Sequence, residues 1–280
     1  MVDPDFNKTI QSVNDASTQV FIKTKEDTKI SFRQWGDAGP ILVMLHGGYG
    51  SWMHWLNNVS ELCKNFRIVV PDMPGFGESE LLPYLPSLDQ YAQILVDALD
   101  ELLPEEQYSL VGFSFGSAIG SHMMKFADDK VKRLTLVGYN RTGNMPFKRP
   151  KMKSWRDVSS KEELFAAQRF NLSVMMLHKE EKIDDLAITV QTLNTRGGKV
   201  RSLDIVATHD LPSRLLEVKK PIDIIWGEFD VTLINGIDNA QERMQELIPD
   251  VKCHVINNTG HWVQFEEPEQ FNKIINKIYN

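Results

Sequence analysis

The chain has 280 residues, of which 42% are hydrophobic and 25% are charged. These values are ordinary for a globular protein and exclude a disordered or fibrous chain. The net charge of −7 disfavours a phosphate-binding surface, and with it a nucleic-acid partner. The length allows either one large domain or one domain that carries an insertion.

The cysteines and the hydropathy pattern bear on the cellular compartment. Cys63 and Cys253 are far apart, form no CxxC pair, and are expected to be small core residues. The opening stretch is polar and acidic, and no apolar run is long enough to cross a membrane as a helix. These features predict a cytoplasmic protein that uses no metal, no cofactor and no membrane partner.

Short apolar runs of strand length recur along the chain. The first two alternate apolar and polar residues, as in a hairpin, and most of the others are continuously apolar, as in strands covered on both faces. Strands are predicted at residues 19–24, 29–35, 41–45, 67–70, 109–113, 133–139, 221–227 and 252–257.

Helical patterns separate these strands. In residues 87–103 the apolar positions recur at helical spacing, and Ser87 fits the N-cap position. Helices are predicted at residues 58–65, 87–103, 116–127, 161–177, 182–194, 238–247 and 268–279. Strands that alternate with helices indicate an α/β protein with a mostly parallel sheet and right-handed crossovers.

This alternation breaks after the sixth predicted strand. Residues 144–213 contain two amphipathic helical patterns and no convincing strand, which predicts an inserted helical cap. Residues 1–143 and 214–280 are then expected to build the core that contains the sheet.

The pentad Gly112-Phe113-Ser114-Phe115-Gly116 lies between a predicted strand and a predicted helix. A tight turn flanked by glycines can lift a serine side chain above the carboxyl edge of a sheet. The helix that follows directs its N-terminal N–H groups at developing negative charge. The pattern therefore predicts Ser114 as a nucleophile, and its alternative is a glycine-rich joint with an idle serine.

A serine hydroxyl needs a base, and a carboxylate must orient that base. Of the seven histidines, His261 follows the last predicted strand at its carboxyl end, whereas His46 is expected to brace a glycine-rich loop. Asp230 follows the seventh predicted strand, and Glu228 is its rival. The order Ser114, Asp230, His261 is known for one fold only.

This order and four further motifs resemble the α/β-hydrolase family. The motifs are LHGGYGSW (45–52), PDMPGFGES (71–79), GEFD (227–230) and TGHW (259–262). The resemblance implies an eight-stranded, mostly parallel sheet flanked by helices, and hydrolysis without a cofactor. It also implies that the backbone N–H groups of Gly48 and Phe115 form an oxyanion hole.

Other sequence features narrow the choice within that family. Haloalkane dehalogenases and epoxide hydrolases have aspartate where this chain has Ser114. The segment GHWVQFEEPEQFN (260–272) is similar to the carbon–carbon bond hydrolases that cleave ring-fission products of aromatic compounds. In those enzymes a tryptophan follows the catalytic histidine, as Trp262 does here.

Two departures from the carbon–carbon bond hydrolases leave the substrate open. Those enzymes usually have asparagine before the nucleophile, where this chain has Phe113. They also use an arginine of the cap to hold the substrate carboxylate. Arg141 and Arg196 are the nearest candidates here, and both are expected to be surface residues.

Aromatic side chains near the motifs predict an apolar substrate pocket beneath the cap helices. The expected substrate contacts are Trp52, Phe113, Trp155 and Trp262. The pairs Met123–Met124 and Met175–Met176 are further candidates, although core packing is the default for methionine.

These residues predict a serine hydrolase that acts on a small or medium, largely apolar ester or on a vinylogous diketo acid. Two other classes stay open. One is non-hydrolytic use of the same residues, as in hydroxynitrile lyases or cofactor-free haloperoxidases. The other is a ligand-binding, receptor-like module. A homo-oligomer is compatible with the sequence.

Overall fold

The computed structural model describes residues 4–127, 129–140, 150–206 and 215–280. Its strands are β1 (Thr18–Lys23), β2 (Lys29–Trp35), β3 (Ile41–Leu45), β4 (Arg67–Pro71), β5 (Tyr108–Phe113), β6 (Val131–Val137), β7 (Ile222–Gly227) and β8 (Lys252–Ile256). They form an eight-stranded sheet in the order β1-β2-β4-β3-β5-β6-β7-β8. Strand β2 is antiparallel to both β1 and β4, and every other neighbouring pair is parallel. The predicted mostly parallel sheet is confirmed.

Helices connect these strands and flank the sheet. They are α1 (Pro4–Asp15), α2 (Val59–Leu62), α3 (Leu88–Leu102), α4 (Phe115–Met123), α5 (Lys161–Met175), α6 (Asp185–Gly197), α7 (Ser202–Val206), α8 (Gly236–Leu247), α9 (Val263–Glu266) and α10 (Pro268–Tyr279). Helices α1, α7 and α9 are absent from the sequence prediction. Within the described residues, none of the helices has the length and apolarity needed to span a bilayer.

Both faces of the sheet are covered, as the continuous apolar strands predict. Along β3, Leu42 and Met44 belong to one hydrophobic cluster, whereas Val43 and Leu45 belong to the other. Successive side chains of a strand point to opposite faces. Helices must therefore cover the sheet on both sides, which requires apolar residues at every position of the strand.

Local sequence signals set where the long helices begin. Ser87 accepts a hydrogen bond from the Gln90 N–H, and the Gln90 side chain accepts one from the Ser87 N–H. This reciprocal capping confirms the predicted N-cap of α3. Ser160 and Asp184 cap α5 and α6 by a single bond each, in which the side chain accepts one backbone N–H.

Between β6 and β7, the described residues 138–140, 150–206 and 215–221 contain helices and no strand. Residues 150–206 contribute α5, α6 and α7, and we call them the cap segment. Both ends of the predicted 144–213 insertion lie outside the described residues, so its exact extent stays a prediction.

The two cysteines are free thiols that are half-buried at the margins of the core. Burial raises the pKa of the Cys63 thiol, and burial together with the charge of Asp223 raises that of Cys253 to about 11. Both side chains pack against a hydrophobic cluster, as expected of small core residues.

Candidate active site

Ser114 occupies a strained turn between β5 and α4. Its backbone has φ 51° and ψ −106°, a conformation that side chains other than glycine rarely adopt. The Ser114 N–H donates to the Val137 carbonyl of β6 at 2.8 Å. The Ser117 hydroxyl contacts the carbonyls of Gly112 at 2.6 Å and Val137 at 3.0 Å. Hydrogen bonds to both flanking strands therefore hold the strained residue in place.

The two glycines of the pentad are required by close backbone contacts. A Cβ atom at Gly112 would lie 2.4 Å from the Gly116 carbonyl oxygen. A Cβ atom at Gly116 would lie 2.4 Å from the Leu45 carbonyl oxygen, at the end of β3. Glycine at both positions lets the turn pack directly against the sheet.

A carboxylate and an imidazole meet where β7 and β8 end. His261 Nδ1 and Asp230 Oδ2 are 2.8 Å apart, and both side chains are buried. Thr232 donates to Asp230 Oδ1 from its hydroxyl at 2.6 Å and from its backbone N–H at 2.9 Å. Burial alone would raise the pKa of Asp230, but His261 and the two bonds from Thr232 outweigh it and lower that pKa.

Glu228, the rival carboxylate, makes a different contact. Its Oε2 atom accepts the Asn258 N–H at 2.7 Å, and its side chain is only half-buried. Glu228 thus ties two loops together, whereas Asp230 is the carboxylate hydrogen-bonded to His261.

The loop after β3 is braced by a buried imidazole, as the sequence suggests. His46 Nδ1 lies 2.7 Å from the Gly47 carbonyl oxygen, and the Met73 N–H donates to His46 Nε2 at 2.9 Å. A ring that accepts at Nε2 carries its proton on Nδ1. Burial lowers the pKa of His46 to about 4, so the ring is neutral near pH 7.

That brace also orients Gly48. The Gly47 carbonyl accepts a second hydrogen bond, from the Gly50 N–H at 3.1 Å. The Gly47 carbonyl and the Gly48 N–H belong to one planar trans peptide group and point in opposite directions. Hydrogen bonds to the carbonyl therefore restrain the direction of the Gly48 N–H.

A cavity of about 660 Å³ lies between this region and the cap segment. Ser114 and His261 both line it, together with Gly48, Phe113 and Phe115. The cap segment contributes the facing residues Met152, Lys153, Ser154, Trp155, Arg156, Gln168, Asn171, Met175, Met176, Gln191, Thr195, Ser202, Leu203 and Val206. The sequence-predicted nucleophile, base and oxyanion residues thus share one cavity.

The four aromatic residues expected to contact substrate divide into two pairs. Phe113 and Trp155 line the cavity. Trp52 and Trp262 are 5% and 0% exposed, lie in the hydrophobic core, and are not among the described residues that line the cavity. Trp52 packs on Trp35 with ring centroids 5.6 Å apart, and Trp262 stacks on Phe265 at 4.1 Å. Proximity in sequence to a motif does not determine which way a side chain points.

The cap side of the cavity is more polar than the sequence suggests. Gln168, Asn171, Gln191, Thr195 and Ser202 all contribute to it. Gln168 Nε2 donates to Thr195 Oγ1 at 2.8 Å, while the buried Gln168 Oε1 has no hydrogen-bond partner among the described residues. These residues lack a sequence signal, because polar positions of an amphipathic helix are ordinarily read as solvated.

The methionine and arginine candidates also divide. Met175 and Met176 line the cavity, whereas Met123 and Met124 lie in the hydrophobic core. Arg196 is exposed, as expected, and Arg141 lies outside the described residues.

One buried glutamate joins the cap segment to the His261 loop. Glu266 Oε1 accepts the backbone N–H groups of His178 at 2.9 Å and Lys179 at 2.6 Å. Its other oxygen accepts the Gly260 N–H at 2.7 Å. The Trp262 N–H adds a further bond to the cap segment, to the Met176 carbonyl at 2.8 Å.

Comparison with known families identifies the fold. Residues 40–268 match the family model described as the alpha/beta hydrolase fold. The chain belongs to this family. Its sheet order and its strained serine between β5 and α4 are consistent with that assignment. The expectation of an α/β-hydrolase, and of an enzyme of the hydrolase class, is therefore confirmed.

Curated relatives of this α/β-hydrolase carry the name 2-hydroxy-6-oxononadienedioate/2-hydroxy-6-oxononatrienedioate hydrolase. One from Pseudomonas putida is 24% identical in an alignment of 296 positions, which covers 94% of this chain and 96% of the relative. Another, from Cupriavidus pinatubonensis, is 26% identical in an alignment of 310 positions, which covers 95% of this chain and 96% of that relative. The resemblance to carbon–carbon bond hydrolases thus extends over nearly the whole chain.

Solved structures share the fold of this α/β-hydrolase at lower identity. Naproxen esterase from Bacillus subtilis superposes with a TM-score of 0.76 at 19% identity, covering 98% of this chain and 97% of its own. A meta-cleavage product hydrolase from Pseudomonas fluorescens gives a TM-score of 0.72 at 20% identity, with coverage of 93% and 97%. The same architecture therefore occurs in both an esterase and a carbon–carbon bond hydrolase.

Proposed function

We propose that this α/β-hydrolase is a serine hydrolase that cleaves a small or medium carboxylic ester in the cytoplasm, without a cofactor. Its catalytic residues would be Ser114, His261 and Asp230. The proposal rests on the 2.8 Å contact between His261 and Asp230 beside the cavity that Ser114 also lines.

The proposed reaction follows from the chemistry of these three groups. Ser114 Oγ attacks the ester carbonyl while His261 takes its proton, and the leaving alcohol then receives that proton. Water, activated by His261, releases the acid from the acyl-enzyme. Because Asp230 occupies Nδ1 of His261, the other ring nitrogen, Nε2, is the one available to exchange protons with Ser114.

The backbone N–H groups of Gly48 and Phe115 would stabilise the oxyanion. Phe115 is the first residue of α4, where an N–H has no partner within the helix. The braced Gly47–Gly48 peptide supports a preset direction for the second donor. One such donor typically contributes a factor of about 10²–10³ in rate.

The walls of the cavity support a substrate with an apolar part and a polar part. Phe113 and Phe115 make the wall beside Ser114 apolar, whereas Gln168 and Asn171 make the cap side polar. An ester with an apolar group near its carbonyl and a polar group farther away would complement both walls.

Carbon–carbon bond cleavage of a 2-hydroxy-6-oxo-dienoate is the second candidate. Lys153 and Arg156 line the cavity, and no aspartate or glutamate is among its described lining residues. That charge distribution favours a substrate with a carboxylate, as the names of the curated relatives describe for those proteins. Phe113, in the place of the usual asparagine, is the feature that favours an ester.

Parallel turnover measurements test both candidates. Wild type, Ser114→Ala and the control Ser121→Ala would be assayed on short p-nitrophenyl esters and on a 2-hydroxy-6-oxo-dienoate. Ser121 lies on the same helix, α4, and donates to the Ala118 carbonyl. We expect Ser114→Ala to lose about 10⁴-fold or more in kcat and Ser121→Ala to stay near wild type.

The outcomes separate the candidate functions. If wild type turns over the dienoate orders of magnitude faster than the esters, carbon–carbon bond cleavage is the function and ester hydrolysis is not. Ser114→Ala as fast as wild type would exclude the serine mechanism. Ligand binding without turnover, and without labelling of Ser114 by a fluorophosphonate, would favour a receptor-like module. Turnover of cyanohydrins, or peracid formation from acetate and peroxide, would indicate a non-hydrolytic enzyme.

A further inference from the structure

His54 lies where three segments of the candidate active site meet. Its Nδ1 atom accepts the Gly47 N–H at 3.0 Å. Its ring centroid lies 5.4 Å from that of Phe113, which precedes Ser114, and 5.0 Å from that of Trp262, which follows His261. The His54 carbonyl also accepts the Trp262 indole N–H at 3.2 Å.

The protonation state of His54 follows from this contact. A ring nitrogen that accepts a backbone N–H carries no proton, so the proton lies on Nε2. Nε2 is buried and has no hydrogen-bond partner among the described residues. Burial, with further contributions from His46 and His261, lowers the pKa of His54 well below its ordinary value. The neutral ring therefore keeps its acceptor for Gly47.

Two imidazoles together hold Gly47 from both sides. His54 holds its N–H, and His46 holds its carbonyl. The loop is also shaped around the His54 ring, because a Cβ atom at Gly50 would lie 2.4 Å from that ring. Without the His54 acceptor, Gly47 would retain only its carbonyl bonds and could rotate about its φ angle.

We propose that His54 is a positioning residue for hydrolysis, acting through Gly47 on the direction of the Gly48 N–H. The proposal rests on the oxyanion role of Gly48 described under the proposed function. His54 would touch no substrate atom. It would preset the oxyanion loop, while its ring packs against the residues beside the nucleophile and the base.

Two substitutions separate the hydrogen bond from the packing. His54→Phe keeps an aromatic ring of similar shape but removes the acceptor, which leaves the Gly47 N–H buried and unpaired. His54→Asn places an amide oxygen close to the position of Nδ1 but loses most of the ring. A purely structural role makes the ring important, whereas the proposed role makes the acceptor important.

Steady-state kinetics on the best ester is the first measurement. We expect His54→Phe to lose about 10- to 100-fold in kcat with KM changed less than about threefold, because only the transition state needs the oxyanion donor. His54→Asn should stay within about fivefold of wild-type kcat although its Tm falls by several degrees. Affinity for a matching trifluoromethyl ketone, which forms an oxyanion on the enzyme, should fall in His54→Phe in parallel with kcat.

Amide hydrogen exchange is the second measurement and does not depend on activity. Exchange at Gly47 should accelerate at least about tenfold in His54→Phe and stay near the wild-type rate in His54→Asn. If wild type shows no Ser114-dependent turnover, the proposed function fails while this exchange pattern can still appear.

The proposal would be overturned by any of three results. The first is wild-type kcat in His54→Phe. The second is a loss of kcat in both variants in proportion to their loss of Tm, which would indicate packing alone. The third is unchanged Gly47 exchange in His54→Phe.

Discussion

The two walls of the cavity are built on different principles. The core wall positions its groups through the backbone, with Ser114 held by Val137 and Gly47 held by His46 and His54. The cap wall presents the side chains of helices, such as Gln168 and Asn171, which bond mainly to other cap residues.

This difference suits the core wall to contacts with the transition state and the cap wall to selection of the substrate. Backbone groups held by strands and buried rings have one direction, which suits groups that must meet a transition state. Helix side chains can change without disturbing the helix that carries them, which suits the selection of a substrate. Substitutions in the core wall should therefore alter rate and pH dependence, and those in the cap wall should alter stability and selectivity more gently.

The largest effect is expected from Asp230, the carboxylate that is hydrogen-bonded to His261 behind the core wall. Asp230→Asn should lower kcat about 10⁴-fold, because an amide cannot stabilise the imidazolium or hold its tautomer. Glu228→Gln is the matched control, since Glu228 bonds to the Asn258 N–H, and should stay within about threefold of wild type. Steady-state kinetics at pH 7 measures both. Equal losses in the two variants would contradict the role of Asp230.

A second effect concerns the pH dependence of stability that arises from His46, the imidazole bonded to the Gly47 carbonyl. The pKa of His46 is about 4 in the folded protein, whereas its ordinary value is 6.5. Between pH 6.5 and 4, His46 therefore binds a proton in the unfolded chain but not in the folded protein. Stability contributed by His46 is therefore present above pH 6.5 and is lost as pH falls towards 4, by up to about 3 kcal/mol. Urea unfolding of wild type and His46→Asn from pH 7 to 4.5 measures it.

The comparison with His46→Asn is needed because Asp72 has the opposite dependence. Burial raises the pKa of Asp72 from 3.8 to about 6, so the fold retains a proton that the unfolded chain releases. Its contribution to stability is present below pH 3.8 and is lost as pH rises through 6. The difference between wild type and His46→Asn isolates the histidine, and an equal pH slope in both would refute the prediction.

A third effect concerns Glu266, whose hydrogen bonds join the cap segment to the His261 loop. Glu266→Gln should lower the free energy of unfolding by about 2–3 kcal/mol, because an amide nitrogen would face a buried N–H donor. Glu267→Gln is the neighbouring control. It loses the charge of a half-buried ion pair with Lys179, worth about 1 kcal/mol, while the new amide oxygen can still accept the hydrogen bond from Gln270. Chemical denaturation gives both values, and similar losses would mean that the buried bonds do not join the walls.

The smallest effect is expected in the cap wall. Gln168→Met removes a buried acceptor without a described partner, but it also removes the hydrogen bond that Nε2 donates to Thr195. The two effects offset, so the free energy of unfolding should change by less than about 1 kcal/mol. Gln191→Met removes a half-buried amide that water can reach and should change it by less than about 0.5 kcal/mol. A loss above about 1 kcal/mol in Gln168→Met would show that this residue stabilises the cap segment.

The elements that could be predicted from sequence share a strong local signal. Strand β3 was recognisable because its short, continuous apolar run is typical of a strand covered on both faces. Helix α3 was recognisable because an N-cap residue precedes an amphipathic pattern at helical spacing. Helices α7 and α9 span only five and four residues, too few for a periodic pattern. Helix α1 has a polar sequence and is held by tertiary contacts, including the bond from the Trp35 indole to the Val13 carbonyl.

The candidate site divides in the same way. Ser114, Asp230 and His261 could be placed because each follows a strand, and parallel strands bring their carboxyl ends to one edge of the sheet. His54 and Gln168 could not be recognised. His54 contacts Phe113 and Trp262, which are distant from it in the sequence, and Gln168 stands out by an oxygen that has no partner among the described residues.

The sequence by itself determined the family and the strand ends after which the candidate residues Ser114, Asp230 and His261 lie. Glycine spacing and strand position restrict the backbone so tightly that only a few residue types fit. The tertiary structure decided which carboxylate meets His261, which tryptophans reach the cavity and which imidazoles hold the loop beside Ser114. Those outcomes depend on side-chain directions, and only packing between distant segments sets these directions.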